Sequence, residues 1–285
     1  MPAVPSCILD SVRDQFLALL PVHEDRHPWG CHNPRISDAV VFDRLVQVQV
    51  QVFGCGYERA AGSACSATTL RRRRDEWIAA GVMETLRLLV LAAYDRMIGL
   101  ELDQLSADGC ISKAPSGGEC AGKSPVDRAI QGIKRSQLTD RQGIPLVTNP
   151  APANTRDHTL LPAALDRFAD LQASLGPLPE HLRLSLDAGF DYSMVHQDLT
   201  ERGITGQIAK RGAKTPIQAG RRWVVERTNS WMNDFGKLRR CTERRKASVE
   251  FFIALASAIS TVRCLIRRAW TLYRWDTRPR SPRSR

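Results

Sequence analysis

The chain has 285 residues, 43% hydrophobic and 25% charged, which excludes wholesale disorder and leaves room for two domains or one large one. Its 41 Lys and Arg against 30 Asp and Glu give a net charge of +11, a surplus that suits polyanions, nucleic acid first among them, and says nothing about fold. Only seven of the basic residues are Lys; the rest are Arg, whose guanidinium makes bidentate contacts to phosphate and guanine. Residues 1–20 lack the basic start and apolar run of a signal peptide. The eight Cys form no CxxC pair and read as reduced thiols. A cytoplasmic protein with no membrane partner is expected.

Residues 1–37 read as a polar, irregular segment rich in Pro and His. Within it HEDRH (residues 23–27) matches the HExxH zinc-protease pattern. That chemistry needs a helix with both His on one face, and Pro21 and Pro28 leave scarcely a helical turn. A polar loop is the reading; a zinc metalloprotease is the remote alternative.

Residues 38–100 read as a helical region. A hydrophobic stretch over 40–52 precedes the turn Gly54-Cys55-Gly56, and SATTLRRRRDEWIAAG follows. Ser66 is the predicted N-cap, Leu70, Trp77 and Ile78 the apolar stripe, and Gly81 the stop. Helix, Gly turn and basic helix outline a helix-turn-helix. The VQVQVQV run at 46–52 has the period of a strand; its context favours helix. Arg71, Arg72, Arg73 and Arg74 sweep about 300° of a helix at roughly 100° per residue. They cannot all face one groove, so one or two are expected at DNA while the others grip phosphate or pair with Asp75 and Glu76.

From 101 to 270 short apolar runs alternate with turn signals and helical stretches, the pattern of an α/β domain. Apolar runs at 102–107 and 182–186 lead into Asp108-Gly109 and Asp187-Ala-Gly189. Runs at 132–138 and 144–147 flank the hairpin turn TDRQG, and 204–209 is a further strand. Stretches 157–175 and 192–202 have helical spacing, with Asp157 and Asp191 as candidate N-caps. The run FFIALASAISTV (251–262) is too short to span a bilayer and reads as a buried helix. Trp231 and Trp270 are expected in the core, with Trp223 left open. Residues 271–285 form a basic tail.

Asp108 and Asp187 are each predicted to end a strand, and Glu226 lies in the helical stretch RRWVVERTNSWM. Three carboxylates converging from two strand ends and a helix would form a pocket for hard divalent cations. Two such ions, Mg²⁺ or Mn²⁺, can clamp the attacking and leaving oxygens of an in-line phosphoryl displacement. Spacing alone does not separate these acids from Asp127, Asp140, Asp157 and Asp191, whose other roles are caps and turns.

The stretches DGCISKAPSGGECAGKSPVDR, GIKRSQLTD, GIPL, APANTRDHTLL, LSLDAGFDY and RRWVVERTNSWMNDFGKLRRCTER occur in this order. Together they resemble bacterial insertion-sequence DDE transposases, specifically the insertion-sequence-five group common in actinobacteria, from about residue 28 to 276. The resemblance implies an RNase H-like core, a mixed sheet flanked by helices, preceded by a helical DNA-binding region. It implies that Asp108, Asp187 and Glu226 are the catalytic metal ligands and that DNA, as terminal repeats and target, is the partner, with a homodimer on DNA. The expected place is then the nucleoid. DNA contacts are expected from Arg71, Arg72, Arg73, Arg74, Lys113, Lys134, Arg222, Arg227, Lys237 and Arg240. Phe190 stands where the family usually has Tyr, and Ala129-Ile130 where Gly-Lys is usual. The alternative within the family is a non-catalytic DNA-binding repressor.

Overall fold

The structure is a computed structural model that describes residues 4–23, 34–50, 56–210 and 223–272. Ahead of the sheet lie α1 (Ser6–Ala18), α2 (Asp38–Val50), α3 (Tyr57–Ala60), α4 (Ala67–Ala79) and α5 (Val82–Ile98). The segment expected to be irregular therefore holds α1. Ile8, Val12 and Phe16 recur at i, i+4 and i+8 and are buried, which gives this helix a core-facing stripe.

The strand-like VQVQV run is helical as far as Val50. Val41, Phe42, Leu45, Val46, Val48 and Gln49 are buried, a broad helical face, and Gln49 is accommodated because its Nε2 donates to the Phe252 carbonyl at 3.1 Å. In α4 the expected cap is present: Ser66 Oγ accepts from the Thr69 N–H at 3.1 Å. Gly81, at φ +66°, stops the helix. Most of the Gly54-Cys55-Gly56 turn lies outside the described residues, as do residues 24–27 of HEDRH and residues 273–285 of the tail.

The sheet is built from β1 (Gln104–Lys113), β2 (Gly122–Lys123), β3 (Gln131–Thr139), β4 (Pro145–Pro152), β5 (Leu182–Leu186) and β6 (Ile204–Ile208). The central strand β1 pairs antiparallel with β3 and parallel with β5. The far edge of β3 takes β4 antiparallel, with β2 at its start, and β6 lies parallel to β5. Helices α6 (Asp157–Asp170), α7 (Gln172–Leu175) and α8 (Ser193–Glu201) follow β4 and β5, and α9 (Trp223–Asn233), α10 (Gly236–Arg239) and α11 (Lys246–Leu272) close the described chain. The expected mixed sheet flanked by helices is what forms.

Two apolar cores result. One joins α1, α2, α4 and the start of α5 to α11 through Phe16, Phe42, Leu70, Trp77, Leu86 and Phe252. The other lies under the sheet, where Leu105, Ala107, Leu184 and Leu186 meet Leu161, Leu165 and Phe168 of α6 and Val195 and Leu199 of α8. With 27 residues, α11 is long and apolar enough to cross a membrane by length and composition, but 72% of its apolar window is buried inside the fold. It is the shared spine of the helical region and the sheet.

Three local expectations are corrected. Asp157 is inside the first turn of α6, whose N-cap is Arg156, and Asp191 ends the short 3-10 turn Ala188–Phe190 instead of capping α8. Trp270 sits on the exposed end of α11, past the buried stretch that ends at Val262.

Candidate active site

Asp108 does not end its strand. It lies in the middle of β1, paired with Gln137 of β3. Alternation along β1 puts Leu105, Ala107 and Gly109 toward the α6 core and Ser106, Asp108 and Cys110 on the opposite face. Gly109 is required there because a Cβ would overlap Asp157 Oδ1. That aspartate is held by Lys134 Nζ at 2.7 Å.

The sheet register brings the second acid alongside. Pairing of β1 with β5 runs through Ser106↔Ser185, so two residues further on Asp108 and Asp187 are level on adjacent strands, which lie about 4.8 Å apart in a sheet. Asp187 does end its strand, and its side chain accepts from the Gly189 N–H at 2.8 Å, which starts the 3-10 turn.

Glu226 arrives from α9, which packs across β1 and β3. Its two neighbours fix that helix. Thr228 Oγ1 donates to the Gly143 carbonyl at 2.7 Å, and the Arg227 guanidinium donates to the Gln142 carbonyl. Arg227 is stacked between Trp223 and Trp231, 4.8 Å from each ring centroid. The turn that receives them is itself rigid, since Asp140 accepts from the backbone N–H groups of Gln142 and Ile144 at 2.9 and 2.8 Å. Gly143 has φ +80°. A Cβ on it would lie 2.9 Å from both Arg227 Nη2 and Thr228 Oγ1.

The carboxyl of Asp108 is pushed up to about 8, first by burial, then by the charge of Glu226 and a hydrogen bond to it, with Asp187 adding a smaller repulsion against the lowering effect of the Gly109 N–H. Glu226 is thus the nearest charged influence on Asp108, and Asp187 adds to it through its charge. No Lys or Arg forms an ion pair with any of the three among the described residues. Nor, among those residues, do three or more His, Cys, Asp or Glu side chains form a closed metal-binding group. Neighbouring hard carboxylates with no compensating cation are nevertheless the donor chemistry a divalent ion suits. The same donors can bring an anionic phosphate close only when their own charge is neutralised.

The basic residues expected at DNA divide into two sets. Arg73 is fully buried and pairs with Asp38. Arg74 is buried against Glu243, 2.8 Å away. Lys237 is also buried, 2.6 Å from Glu243, and Tyr57 donates to the same carboxylate at 2.9 Å. Lys134 is spent on Asp157. These four hold the helices and the sheet together, and the expectation that they face DNA is corrected: each is drawn inward by a carboxylate, Asp38, Glu243 or Asp157. Arg71 stacks on Tyr57 and pairs with Glu58, whereas Arg72 is 66% exposed and lies 3.8 Å from Glu76. Lys113 and Arg240 lie at the surface beside a cavity. Arg222 is outside the described residues.

Sequence reading missed Arg135, Asn233 and Arg239. Arg135 and Cys110 are cross-strand partners on the Asp108 face, and Arg135 donates to Asn233 Oδ1. The signal available for Arg135 was the polar run KRSQ between Ile133 and Leu138 of a predicted strand.

The family profile described as "Transposase DDE domain" matches residues 103–261. A Burkholderia cepacia protein, provisionally assigned as the transposase for insertion sequence element IS402, is 37% identical over 126 residues, 44% of this chain and 60% of that protein. The chain therefore spans less than two thirds of that relative's length. A solved structure, a Mos1 transposase paired-end complex with the left transposon end, aligns over 84% of this chain and 82% of its own, at 10% identity and a TM-score of 0.26. At that score the fold rests on the strand order above.

Proposed function

The chain belongs to the transposase DDE-domain family, and from that premise we propose that it is an active transposase that binds the ends of its insertion element, cuts them and joins them to target DNA. The observation that carries this reading is the placement of Asp108 on β1, Asp187 level with it on the next strand and Glu226 on the helix packed across β1, with no Lys or Arg ion-paired to any of them among the described residues. The order β4-β3-β1-β5-β6, with the first three strands antiparallel and the last two parallel to β1, supports an RNase H-like core. The motifs around the three acids support membership of the insertion-sequence-five group, in its actinobacterial form.

Asp108, Asp187 and Glu226 would hold two Mg²⁺ or Mn²⁺ ions, which when bound neutralise the phosphoryl oxygens and lower the pKa of water. The chain's own contribution is placement. The Gly143 turn and the Trp223–Arg227–Trp231 stack hold Glu226 over Asp108, so a strand laid across β1 presents its scissile phosphate to fixed carboxylates. Exposed cations such as Arg72, Lys113 and Arg240 bind the backbone and set its direction. Water attacks first to release a 3′-hydroxyl, and that hydroxyl then attacks target DNA; each step breaks one P–O bond as it forms another. A homodimer would be needed to hold two ends at once. The buried Arg73 and Arg74, and Arg71 paired with Glu58, leave the proposed helix-turn-helix with Arg72 as the DNA-facing cation of this run.

The direct experiment is cleavage of supercoiled DNA carrying the sequences on either side of the gene, in which the element would end in inverted repeats. Mg²⁺-dependent nicks at the repeat ends that leave 3′-hydroxyls support the reading. Specific end binding with no cleavage in Mg²⁺ or Mn²⁺ would instead identify a repressor.

A further inference from the structure

A cavity of about 520 Å³ lies beyond the carboxylate cluster, lined by the end of β1, residues 124–130, the start of β3, the end of α9, and Arg239 and Arg240. We propose that it binds an unpaired strand of DNA, with phosphates on Lys113, Arg239 and Arg240 and a base against the apolar wall. The proposal rests on the transposase reading and deepens it by fixing the path of one strand away from the scissile phosphate.

Position comes first. Asn233, on the cavity wall, lies seven residues beyond Glu226 on α9, about 10 Å along the axis at 1.5 Å per residue. At about 3.4 Å per nucleotide in a stacked strand, the cavity is some three nucleotides from the cluster, where the end of β1 meets the end of α9.

Charge is the second argument. Among the residues lining the cavity, Asp127 is the one acid, 3.8 Å from Lys113 Nζ. Arg239 and Arg240 are exposed and form no ion pair among the described residues. Their backbone is anchored: Arg240 forms a parallel bridge to Lys113, and the Cys241 N–H donates to the Lys113 carbonyl at 2.8 Å. The cations are therefore presented by a fixed strand end and not by a wandering loop.

Behind the wall lies the third observation. Arg135 is 2% exposed, and its guanidinium donates to Asn233 Oδ1 and to Cys110 Sγ, the latter at 3.5 Å. Its Nε and Nη1 have no hydrogen-bond partner, and it has no carboxylate partner, among the described residues. A buried charge without a counter-charge is costly. An anion in the adjoining cavity, across the Asn233 amide, would supply it.

The shape selects an unpaired strand. Ile111 and Val126 give an apolar wall, and Ser112, Ser124 and Gln131 put hydroxyls and an amide beside it. A volume of this size suits a small ligand. A duplex, whose major groove alone is about 12 Å wide, can touch the cationic rim but keeps its base faces stacked. Only an unpaired nucleotide can place a base on Ile111 and Val126 while its phosphate stays on Arg239 or Arg240.

The test is fluorescence anisotropy of the full-length protein in EDTA, so that no cleavage contributes. The probes are a short random-sequence duplex with a single-stranded 3′ overhang and the same duplex with blunt ends, titrated over a range of KCl. Wild type should prefer the overhang. Arg239→Gln with Arg240→Gln should lower overhang affinity about tenfold and reduce its log–log salt slope by about 1.4, at ~0.7 per phosphate on a single strand, with a clearly smaller loss on the blunt probe, which touches only the rim. Ile130→Lys, which adds a cation at the exposed rim, should raise the overhang slope by about 0.7. Equal losses on both probes, or unchanged overhang binding, would overturn the cavity assignment. Neither result touches the transposase reading, which is decided by end cleavage in Mg²⁺.

Discussion

Replacing Gly143 by Ala tests whether the turn between β3 and β4 is what places Glu226. The backbone there has φ +80°, and an L side chain in the left-handed region costs about 1–2 kcal/mol. The added Cβ would also come within 2.9 Å of Thr228 Oγ1 and Arg227 Nη2. If it dislodges the Thr228–Gly143 hydrogen bond, about 1 kcal/mol more is lost. The sum, roughly 2–3 kcal/mol, should lower Tm by about 4–12 °C for a chain of this size. The effect on the site should be larger than the effect on the fold, because α9 must shift to relieve the contact and misplacement by about 1 Å can cost on the order of a hundredfold in rate. Cleavage is measured well below the variant's Tm, alongside Gly203→Ala. Gly203 has φ +69° but nothing within 4 Å of a Cβ, so it bears the backbone cost alone and should cleave normally. A Gly143→Ala protein that loses stability no more than Gly203→Ala and cleaves at the wild-type rate would refute this account of Glu226.

Three further outcomes follow from side chains outside the cluster. Burial pushes the Asp140 carboxyl up to about 6 against a usual 3.8, in opposition to three backbone N–H groups. The folded state therefore holds this proton more tightly, so its contribution is full below about pH 4 and is lost as pH rises through about 6, on the order of 3 kcal/mol in all. Chemical denaturation at a series of pH values should show this decline, and Asp140→Asn should flatten it. Arg73→Ala should destabilise by roughly 2–3 kcal/mol, since it removes the charge-assisted hydrogen bond to Asp38, which keeps Arg35 4.0 Å away, whereas Arg72→Ala should leave Tm unchanged and lower the salt slope of DNA binding by about 0.9; the reverse pattern would restore the original reading of the basic helix. Ala129 has φ +58°, so Ala129→Gly should raise stability by about 1 kcal/mol, read as an upward shift in Tm.

Much of the α/β region was legible because local chemistry and tertiary context agree there. The run 182–186 matches β5 to the residue, and the TDRQG turn is a β-hairpin because Asp140 and Gly143 meet its backbone needs. Glu226 and Asp187 were placed on the correct kinds of element. Asp108 was misplaced at a strand end because Asp-Gly reads as a turn. Here Gly109 instead answers a packing demand from Asp157, a contact from 48 residues away that no local pattern encodes. The same limit hid α1, whose stripe is covered by α2, α4, α5 and α11, and turned Arg73 and Arg74 into core residues through Asp38 and Glu243. Charge patterns announce that a helix is basic; which of its faces is solvated is decided by partners elsewhere in the chain.

The central claim is that Asp108, Asp187 and Glu226 act as one metal-dependent unit on DNA. Glu226→Gln tests it most directly, because Glu226 is exposed on α9 and the change preserves size and helix propensity while removing one charge from the cluster. A neutral amide is a far weaker ligand for a hard cation. In Mg²⁺, with protein in excess over DNA carrying the element ends, single-turnover cleavage should fall by on the order of a thousandfold, at about 1.36 kcal/mol per decade, while end binding in a gel-shift assay is retained. A Glu226→Gln protein that cuts its element ends at the wild-type rate would contradict the account.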